Sequence, residues 1–263
     1  MHKIYAMSQK VEVCFSPILY PHKLIKENFI VVVVDILRAS TSICAALHYG
    51  IKDIIPVSGS KEAREYKEKG FLVACERNGK TLDFADIGNS PSDFIKQEFL
   101  GDTIVFSTTN GTTAINQAKE DSDMVTVGSF INLTALADFL IRQNKNVVIL
   151  CAAWKHLFNL EDSVMAGALS ELLIEAGFSS DCDAAKAAID LWRNAKSDLG
   201  DYLSKSSHRS RLPHLVSDED YDFTVSVDIS KIIPLLVGNR LIPVHQLVNG
   251  SGRKGAEVAA KLS

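Results

Sequence analysis

The chain has 263 residues, 46% hydrophobic and 23% charged, with a formal net charge of −4. These proportions exclude a disordered or collagen-like chain, and the length suits one large α/β domain or a main domain with a smaller appendage. The slightly acidic balance offers no electrostatic footprint for nucleic acid, and the one short basic cluster, His208-Arg-Ser-Arg211, reads as a solvated loop. No apolar stretch approaches the length needed to cross a bilayer, and Met1-His-Lys-Ile-Tyr-Ala6 lacks a signal peptide's long apolar region, so a cytoplasmic protein without a membrane partner is expected.

Cys14, Cys44, Cys75, Cys151 and Cys182 are odd in number, widely spaced and contain no C-x-x-C pair, which points away from a disulfide framework or a zinc site. A cysteine phosphatase needs an arginine six positions after its nucleophile, and none of the five has one.

In chain order, Phe29 to Val34 is a continuous β-branched run, the pattern of a strand covered on both faces. Ser40 or Thr41 is expected to cap a helix with Ile43, Ala46 and Leu47 on one side and Gly50 just past its end. Ile54 to Val57 reads as a strand, Lys61 to Lys69 as a charged surface helix ended by Gly70, and Phe71 to Ala74 as a third strand. Ser90-Pro91-Ser-Asp93 has the cap residue, first-turn proline and acidic third position of a helix start. Further strands are expected at Ile104 to Phe106, Met124 to Val127 and Val147 to Leu150, and helices at Thr112 to Lys119, Leu133 to Gln143 and Asp162 to Ala176. Past Gly177 the pattern changes: Asp183 to Leu203 is helical and amphipathic, and Phe223 to Val244 holds short apolar runs broken by Pro234, Gly238 and Pro243.

This alternation predicts a three-layer α/β/α sandwich with a largely parallel or mixed central sheet. Residues 1–177 form the expected main domain, and residues 178–263 a C-terminal α+β elaboration packed on it, either as a separate unit or as part of the same domain. Because the carboxyl ends of parallel strands share one edge, residues scattered along the chain are expected to meet in one crevice there.

Two nucleotide signatures are near misses. Asn78-Gly79-Lys80-Thr81 resembles the end of a phosphate-binding P-loop, but Ala74 stands at the first glycine position. Gly250-Ser-Gly252-Arg-Lys-Gly255 has dinucleotide spacing, yet too few residues follow it for the rest of that fold, and it reads as a tail turn.

The informative segments are those where apolar runs stop. A phosphomonoester carries about −1.5 to −2 charges near neutral pH, so its site needs hydrogen-bond donors and cations. Ser107-Thr108-Thr109-Asn110-Gly111-Thr112 supplies hydroxyls, an amide and backbone N–H groups at a strand-to-helix turn, where the helix dipole favours an anion. Ser40 and Thr41 add hydroxyls after the first long strand. Arg38 and Arg77 lie beyond strand ends, and a guanidinium grips phosphate oxygens with two parallel hydrogen bonds. Asp35, Glu76, Glu161 and Asp162 are the acidic counterparts; carboxylates gathered beside a dianion call for a bridging divalent cation, and an all-oxygen set favours magnesium. Each feature has a structural alternative, since Ser, Thr, Asn and Gly populate turns and a lone carboxylate is often a helix cap.

Taken together these motifs resemble the 2-phosphosulfolactate phosphatases, also called the ComB family. Val34-Asp35-Ile-Leu-Arg38-Ala-Ser40-Thr41 is similar to its opening motif, Glu76-Arg77-Asn-Gly79 and Asp86-Ile-Gly88-Asn89-Ser90-Pro91 to its second, and Ser107 to Thr112 to its third. Cys151-Ala-Ala with Leu160-Glu161-Asp162 and Ala166-Gly167 resembles the fourth, and Asp228 with Ile233-Pro234 the C-terminal pattern. Departures fall at Phe84 and Ala85, where the family usually has glycine and phenylalanine, and at Ala153-Trp154-Lys155-His156, where the family stretch is glycine-rich.

The resemblance implies a magnesium-dependent phosphoric monoester hydrolase that converts 2-phospho-3-sulfolactate to 3-sulfolactate and phosphate in coenzyme M biosynthesis. On that reading Asp35, Arg38, Glu76, Arg77 and Asp162 are catalytic; Asp35, Glu76, Glu161 and Asp162 are the metal-ligand candidates; and Ser40, Thr41, Asn89, Ser90 and Ser107 to Thr112 bind substrate. Asp35, at the end of a buried strand, has the alternatives of carboxylate nucleophile, metal ligand and general base; the last two are favoured because residue 37 is leucine and the Asp-x-Asp pair of the common aspartyl phosphatases is missing. The partner is then a small phosphorylated organic acid, and a homodimer is the default assembly. The competing reading is a non-catalytic sensor that binds a phosphorylated metabolite with the same turns.

Overall fold

A computed structural model describes residues 8–77, 79–95, 97–207, 209 and 216–249. Asn78 of the P-loop-like run, the Gly250 to Gly255 turn and Met1 to Ala6 lie outside the described residues. Of the basic cluster His208 to Arg211, only Arg209 is described, and it pairs with Asp218 at 2.6 Å.

The β-branched run forms β2 (Phe29–Val34), buried along its whole length. Side chains alternate across a strand: Ile30, Val32 and Val34 enter one core, and Phe29, Val31 and Val33 enter another. Each fully buried valine contributes about 1.5–3 kcal/mol, which explains why this strand is the spine of the sheet. Around it lie β1 (Val11–Cys14), β8 (Asn146–Cys151) and β7 (Met124–Gly128), giving a parallel wing in the order β1-β8-β2-β7. A second parallel wing consists of β3 (Asp53–Pro56), β6 (Thr103–Ser107) and β4 (Leu72–Arg77), with the short β5 (Lys80–Thr81) antiparallel at its edge.

The wings are joined by the hairpin β9 (Pro234–Val237) and β10 (Arg240–Pro243), so that one ten-stranded sheet runs β1-β8-β2-β7-β9-β10-β3-β6-β4-β5. Pairing of β9 to β7, β10 to β9 and β3 to β10 is antiparallel throughout. The apolar runs near the C-terminus therefore complete the middle of the sheet.

The hairpin also corrects the expectation of one shared strand edge. Three successive antiparallel pairings set the wings in opposite hydrogen-bonding directions, while sheet twist of about 20–25° per step rotates one wing against the other. Helices α1 (Ala39–His48) and α3 (Gly111–Ala118) sit in the resulting concavity, and their apolar residues share one core with β2, β7 and β8 on one side and β3, β6 and β4 on the other. The outer face of the first wing is covered by α4 (Leu133–Gln143), α5 (Leu160–Glu175) and α6 (Asp183–Ala195). The outer face of the second is covered by α2 (Ser60–Glu68). The layers are helix, sheet and helix, as expected of an α/β fold, with the sheet curled about the inner pair.

Several local expectations are adjusted. Helix α1 begins at Ala39, so Ser40 and Thr41 lie inside its first turn and neither is the cap residue. Strand β4 continues through Glu76 and Arg77 because Lys80 and Thr81 fold back to pair with them. The helix start at Ser90 yields a four-residue 3-10 turn, Pro91–Phe94. The single helix expected over Asp183 to Leu203 breaks after Ala195, and Asp198 caps α7 (Leu199–Ser204) by accepting from the Asp201 N–H at 2.9 Å. Strand β1 has only four residues and carries Glu12, which obscures its pattern; that carboxylate is satisfied by the N–H groups of Leu24 and Ile25. Among the described residues, the helices that follow are α8 (Asp218–Val225) and α9 (Val244–Asn249). Among the described residues no helix is long and apolar enough to cross a membrane, and all five cysteines are free.

Candidate active site

The turn after β2 is organised by two internal bonds: the Asp35 N–H donates to Ser40 Oγ at 3.0 Å, and the Ser40 N–H returns to the Asp35 carbonyl at 2.8 Å. Ser40 is thereby committed to shaping the turn. Thr41 is fully buried, donating to the Ile36 carbonyl at 3.0 Å and lying 2.9 Å from Ser129 Oγ, so it ties α1 to the neighbouring segment. Asp162 fixes the turn from the other side. Its Oδ1 accepts the Ile36 N–H at 2.8 Å, and its Oδ2 accepts the Ala153 N–H at 3.2 Å and Asn159 Nδ2 at 3.3 Å.

Asp162 and Glu161 occupy the first turn of α5, where the helix dipole favours negative charge. Both are completely buried, whereas Asp35 and Glu76 keep 8% and 6% exposure. Burial, then the nearby Asp35 and Glu161, pushes the Asp162 carboxyl well above its usual range. This is the response of carboxylates crowded together in a poorly solvated place.

The second wing delivers Glu76 and the turn after β6. Glu76 Oε1 accepts the N–H of Thr109 at 3.2 Å and its hydroxyl at 3.3 Å, while Oε2 accepts the Gly79 N–H at 2.5 Å. Thr108 and Thr112 bond reciprocally across the turn, with Thr112 Oγ1 donating to the Thr108 carbonyl at 3.2 Å. Asn110 then begins α3 and Gly111 is its first residue. A Cβ on Gly111 would lie 2.6 Å from Ala39 Cβ and 2.8 Å from Asp35 Oδ2. The turn after β6 therefore packs directly on the Asp35 turn, although the two strands belong to opposite wings.

Arg38 lies at this junction, 9% exposed, with Nη1 donating to Ser90 Oγ at 2.6 Å. Burial lowers its pKa, opposed in order by Glu76, Asp220, Asp93 and Asp35. A guanidinium remains charged through such shifts. Asn89 is 5% exposed, its carbonyl accepts from Ser42 Oγ, and its side-chain Oδ1 is buried with no hydrogen-bond partner among the described residues.

Arg77 is placed differently from the expectation. As the last residue of β4, it directs Nη1 to the carbonyls of Glu76 (2.5 Å) and Ser107 (3.3 Å), and Nη2 to Ser107 Oγ (2.9 Å) and the Ser58 carbonyl (3.4 Å). These bonds tether β4 to the end of β6, so the guanidinium and the Ser107 hydroxyl serve the turn's framework. Asp86 and Asp228 of the sequence motifs are also structural. Asp86 pairs with Lys67 and accepts the Val73 N–H at 2.8 Å. Asp228 holds Thr134, accepting its N–H at 2.7 Å and its hydroxyl at 2.6 Å.

Thus Asp35, Arg38, Glu76, Asn89, Ser90 and the Thr108 to Thr112 turn surround one junction, with Glu161 and Asp162 beneath it. Sequence reasoning missed Asp93 and Asp220, both facing Arg38. Asp220 is 4% exposed on α8 and accepts the Ser92 N–H at 3.0 Å. The capping pattern Ser217 to Asp220 was readable, since Ser217 Oγ accepts the Asp220 N–H at 3.0 Å, but nothing local linked it to Arg38. Among the described residues no three His, Cys, Asp or Glu side chains form a ready-made metal cage.

A profile of the 2-phosphosulpholactate phosphatase family matches residues 14–239, which include every element of this junction. The chain belongs to that family. A probable 2-phosphosulfolactate phosphatase of Caldanaerobacter subterraneus is 36% identical over 211 residues, covering 78% of this chain and 87% of the relative. Proteins of the same name from Thermotoga maritima and Carboxydothermus hydrogenoformans are 34% and 35% identical, covering 80% and 86% of this chain and 90% and 92% of the relatives.

Proposed function

We propose that the chain is a magnesium-dependent phosphomonoesterase that hydrolyses 2-phospho-3-sulfolactate, or a related 2-phospho-hydroxy acid, to 3-sulfolactate and phosphate, a step of the coenzyme M biosynthetic type. The observation that carries this reading is the packing of Gly111 on Asp35, which brings a helix N-terminus, a guanidinium and two slightly exposed carboxylates to one point. Hydrolysis requires water oxygen to bond to phosphorus while the ester P–O bond breaks and the released C2 oxygen takes up a proton. Phosphoryl transfer of this kind depends chiefly on positioning and charge neutralisation.

In this reading Arg38, held by Ser90, grips the phosphoryl oxygens, and the α3 N-terminus at Asn110 and Gly111 receives their charge. Asp35 acts as metal ligand or proton acceptor, both of which need its ionised form. Asp162 holds the Asp35 turn through the Ile36 N–H, and Arg77 holds the turn after β6.

The donor set suits magnesium: it consists of carboxylates, two of which, Asp35 and Glu161, add to burial in raising Asp162, and magnesium takes one or two carboxylates with substrate phosphate and water. Asp35 and Glu76, the two acids with residual exposure, would hold the ion, with Glu161 and Asp162 behind them. When bound it would supply charge neutralisation and lower the pKa of a coordinated water.

The test is phosphate release from 2-phospho-3-sulfolactate by the purified chain, after EDTA treatment and after magnesium is restored. Release abolished by EDTA and recovered with magnesium is expected. Tight binding of the ester without turnover would instead identify a sensor.

A further inference from the structure

We infer that the cavity next to the candidate active site is the subsite for the substrate's sulfonate, and that Lys155, His156 and His22 select for it. This inference rests on the phosphomonoesterase reading above. The cavity has a volume of about 670 Å³ and shares Thr109 and Asn110 with the turn after β6. Another wall residue, Ala152, donates its N–H to the Val34 carbonyl at 2.8 Å, next to Asp35. The cavity therefore adjoins both the α3 N-terminus and the strand end that carries Asp35.

Charge distinguishes the cavity from the site it adjoins. Around Arg38 gather Asp35, Glu76, Asp93 and Asp220, whereas among the described residues lining the cavity none is acidic and three carry basic side chains. With the phosphate engaging Arg38, the sulfonate meets carboxylates on that side and basic side chains in the cavity, which favours the cavity. The basic wall thus suits the sulfonate, at a distance from the phosphate end.

The segment bearing Lys155 and His156 is held for this purpose. Trp154 and Leu157 exchange backbone hydrogen bonds at 3.3 and 2.9 Å, and the His156 carbonyl accepts from Ser16 Oγ at 3.0 Å. Lys155 Nζ stands 4.6 Å above the Trp154 ring. Ala153, Lys155 and His156 have φ of 59°, 51° and 65°, a region that favours glycine. Side chains retained at such angles, on a fastened hairpin at a cavity mouth, point to a recognition role.

The experiment compares the wild type with Lys155→Ala, Lys155→Glu, Lys155→Arg and His156→Ala. Calorimetry measures the binding of 3-sulfolactate and of lactate, which lacks the sulfonate; steady-state kinetics measures kcat/KM for 2-phospho-3-sulfolactate relative to phenyl phosphate. Lys155→Ala is expected to weaken 3-sulfolactate binding about tenfold relative to lactate, as loss of a charge-assisted hydrogen bond does. Lys155→Glu should weaken it further, and Lys155→Arg should restore most of the preference. The kcat/KM ratio should fall in the same order. If no ester is hydrolysed but 3-sulfolactate binding still follows the charge at position 155, the phosphomonoesterase reading fails and the subsite stands. If neither the binding preference nor the ratio responds to Lys155→Glu or His156→Ala, the subsite is overturned.

Discussion

Gly111→Ala tests whether the two wings of the sheet meet at Asp35. Gly111 opens α3, where alanine is ordinarily preferred to glycine by about 0.5–1 kcal/mol, so propensity alone predicts stabilisation. The added Cβ, however, would lie 2.6 Å from Ala39 Cβ and 2.8 Å from Asp35 Oδ2, against an optimal carbon separation of about 3.5–4.0 Å. Ala39 is fixed on α1, so relief requires the helix or the Asp35 carboxylate to move. Such overpacking costs about 1–3 kcal/mol, leaving a net loss of up to about 2.5 kcal/mol after the propensity gain. Displacing the reacting group by about 1 Å also lowers turnover on the order of 100-fold. Urea unfolding, with its slope unchanged, reads the first quantity and kcat/KM on the phosphate ester the second. Gly200→Ala in α7 is the control, because its nearest neighbours would be 3.8 and 3.9 Å away; it should be neutral or stabilising. If Gly111→Ala matches the wild type in both measurements, the β2 and β6 turns do not pack as described.

Three further outcomes follow from the geometry. Burial and the neighbouring Asp35 and Glu161 raise Asp162 above the usual aspartate value of 3.8, so the folded state holds that proton more tightly than the unfolded state. Without magnesium, wild-type stability relative to Asp162→Asn should fall as pH rises from about 4 through the raised pKa, and added magnesium should shrink the fall; a flat or rising difference in pH-dependent urea midpoints contradicts this. Arg38→Lys keeps the charge but loses the planar fork that engages Ser90 Oγ, and kcat should drop about 100-fold or more with little change in melting temperature. Gly167→Ala would set a Cβ 1.9 Å from the Ala188 carbonyl oxygen, where α5 and α6 cross; a loss of about 3 kcal/mol or more is expected by calorimetry, and an unchanged transition would contradict that close crossing.

Much of the candidate site could be read locally. Phe29 to Val34 could be recognised as a doubly covered strand because every residue in it is apolar, and the Ser107 to Thr112 turn because hydroxyls, an amide and a glycine follow a strand. Ser40, Thr41, Arg77 and Ser107 were legible as polar residues at strand ends, but their use was not: each is bonded to backbone or framework groups of the turns they stabilise. Strand β1 was hidden by Glu12, whose carboxylate is satisfied by Leu24 and Ile25, a pairing 12 and 13 positions away.

The amino-acid order alone determined the alternation of strands and helices, the composition of the phosphate-type turns and the family likeness, because these depend on neighbouring residues and on fixed periods of two and 3.6. Only the tertiary structure decided that the β9–β10 hairpin enters the sheet between β7 and β3, that the wings curl around α1 and α3, and that Asp220 and Asp93 face Arg38. Those outcomes depend on twist, on antiparallel pairing across more than 100 residues of chain, as between Thr126 and Leu235, and on contacts that no local pattern encodes.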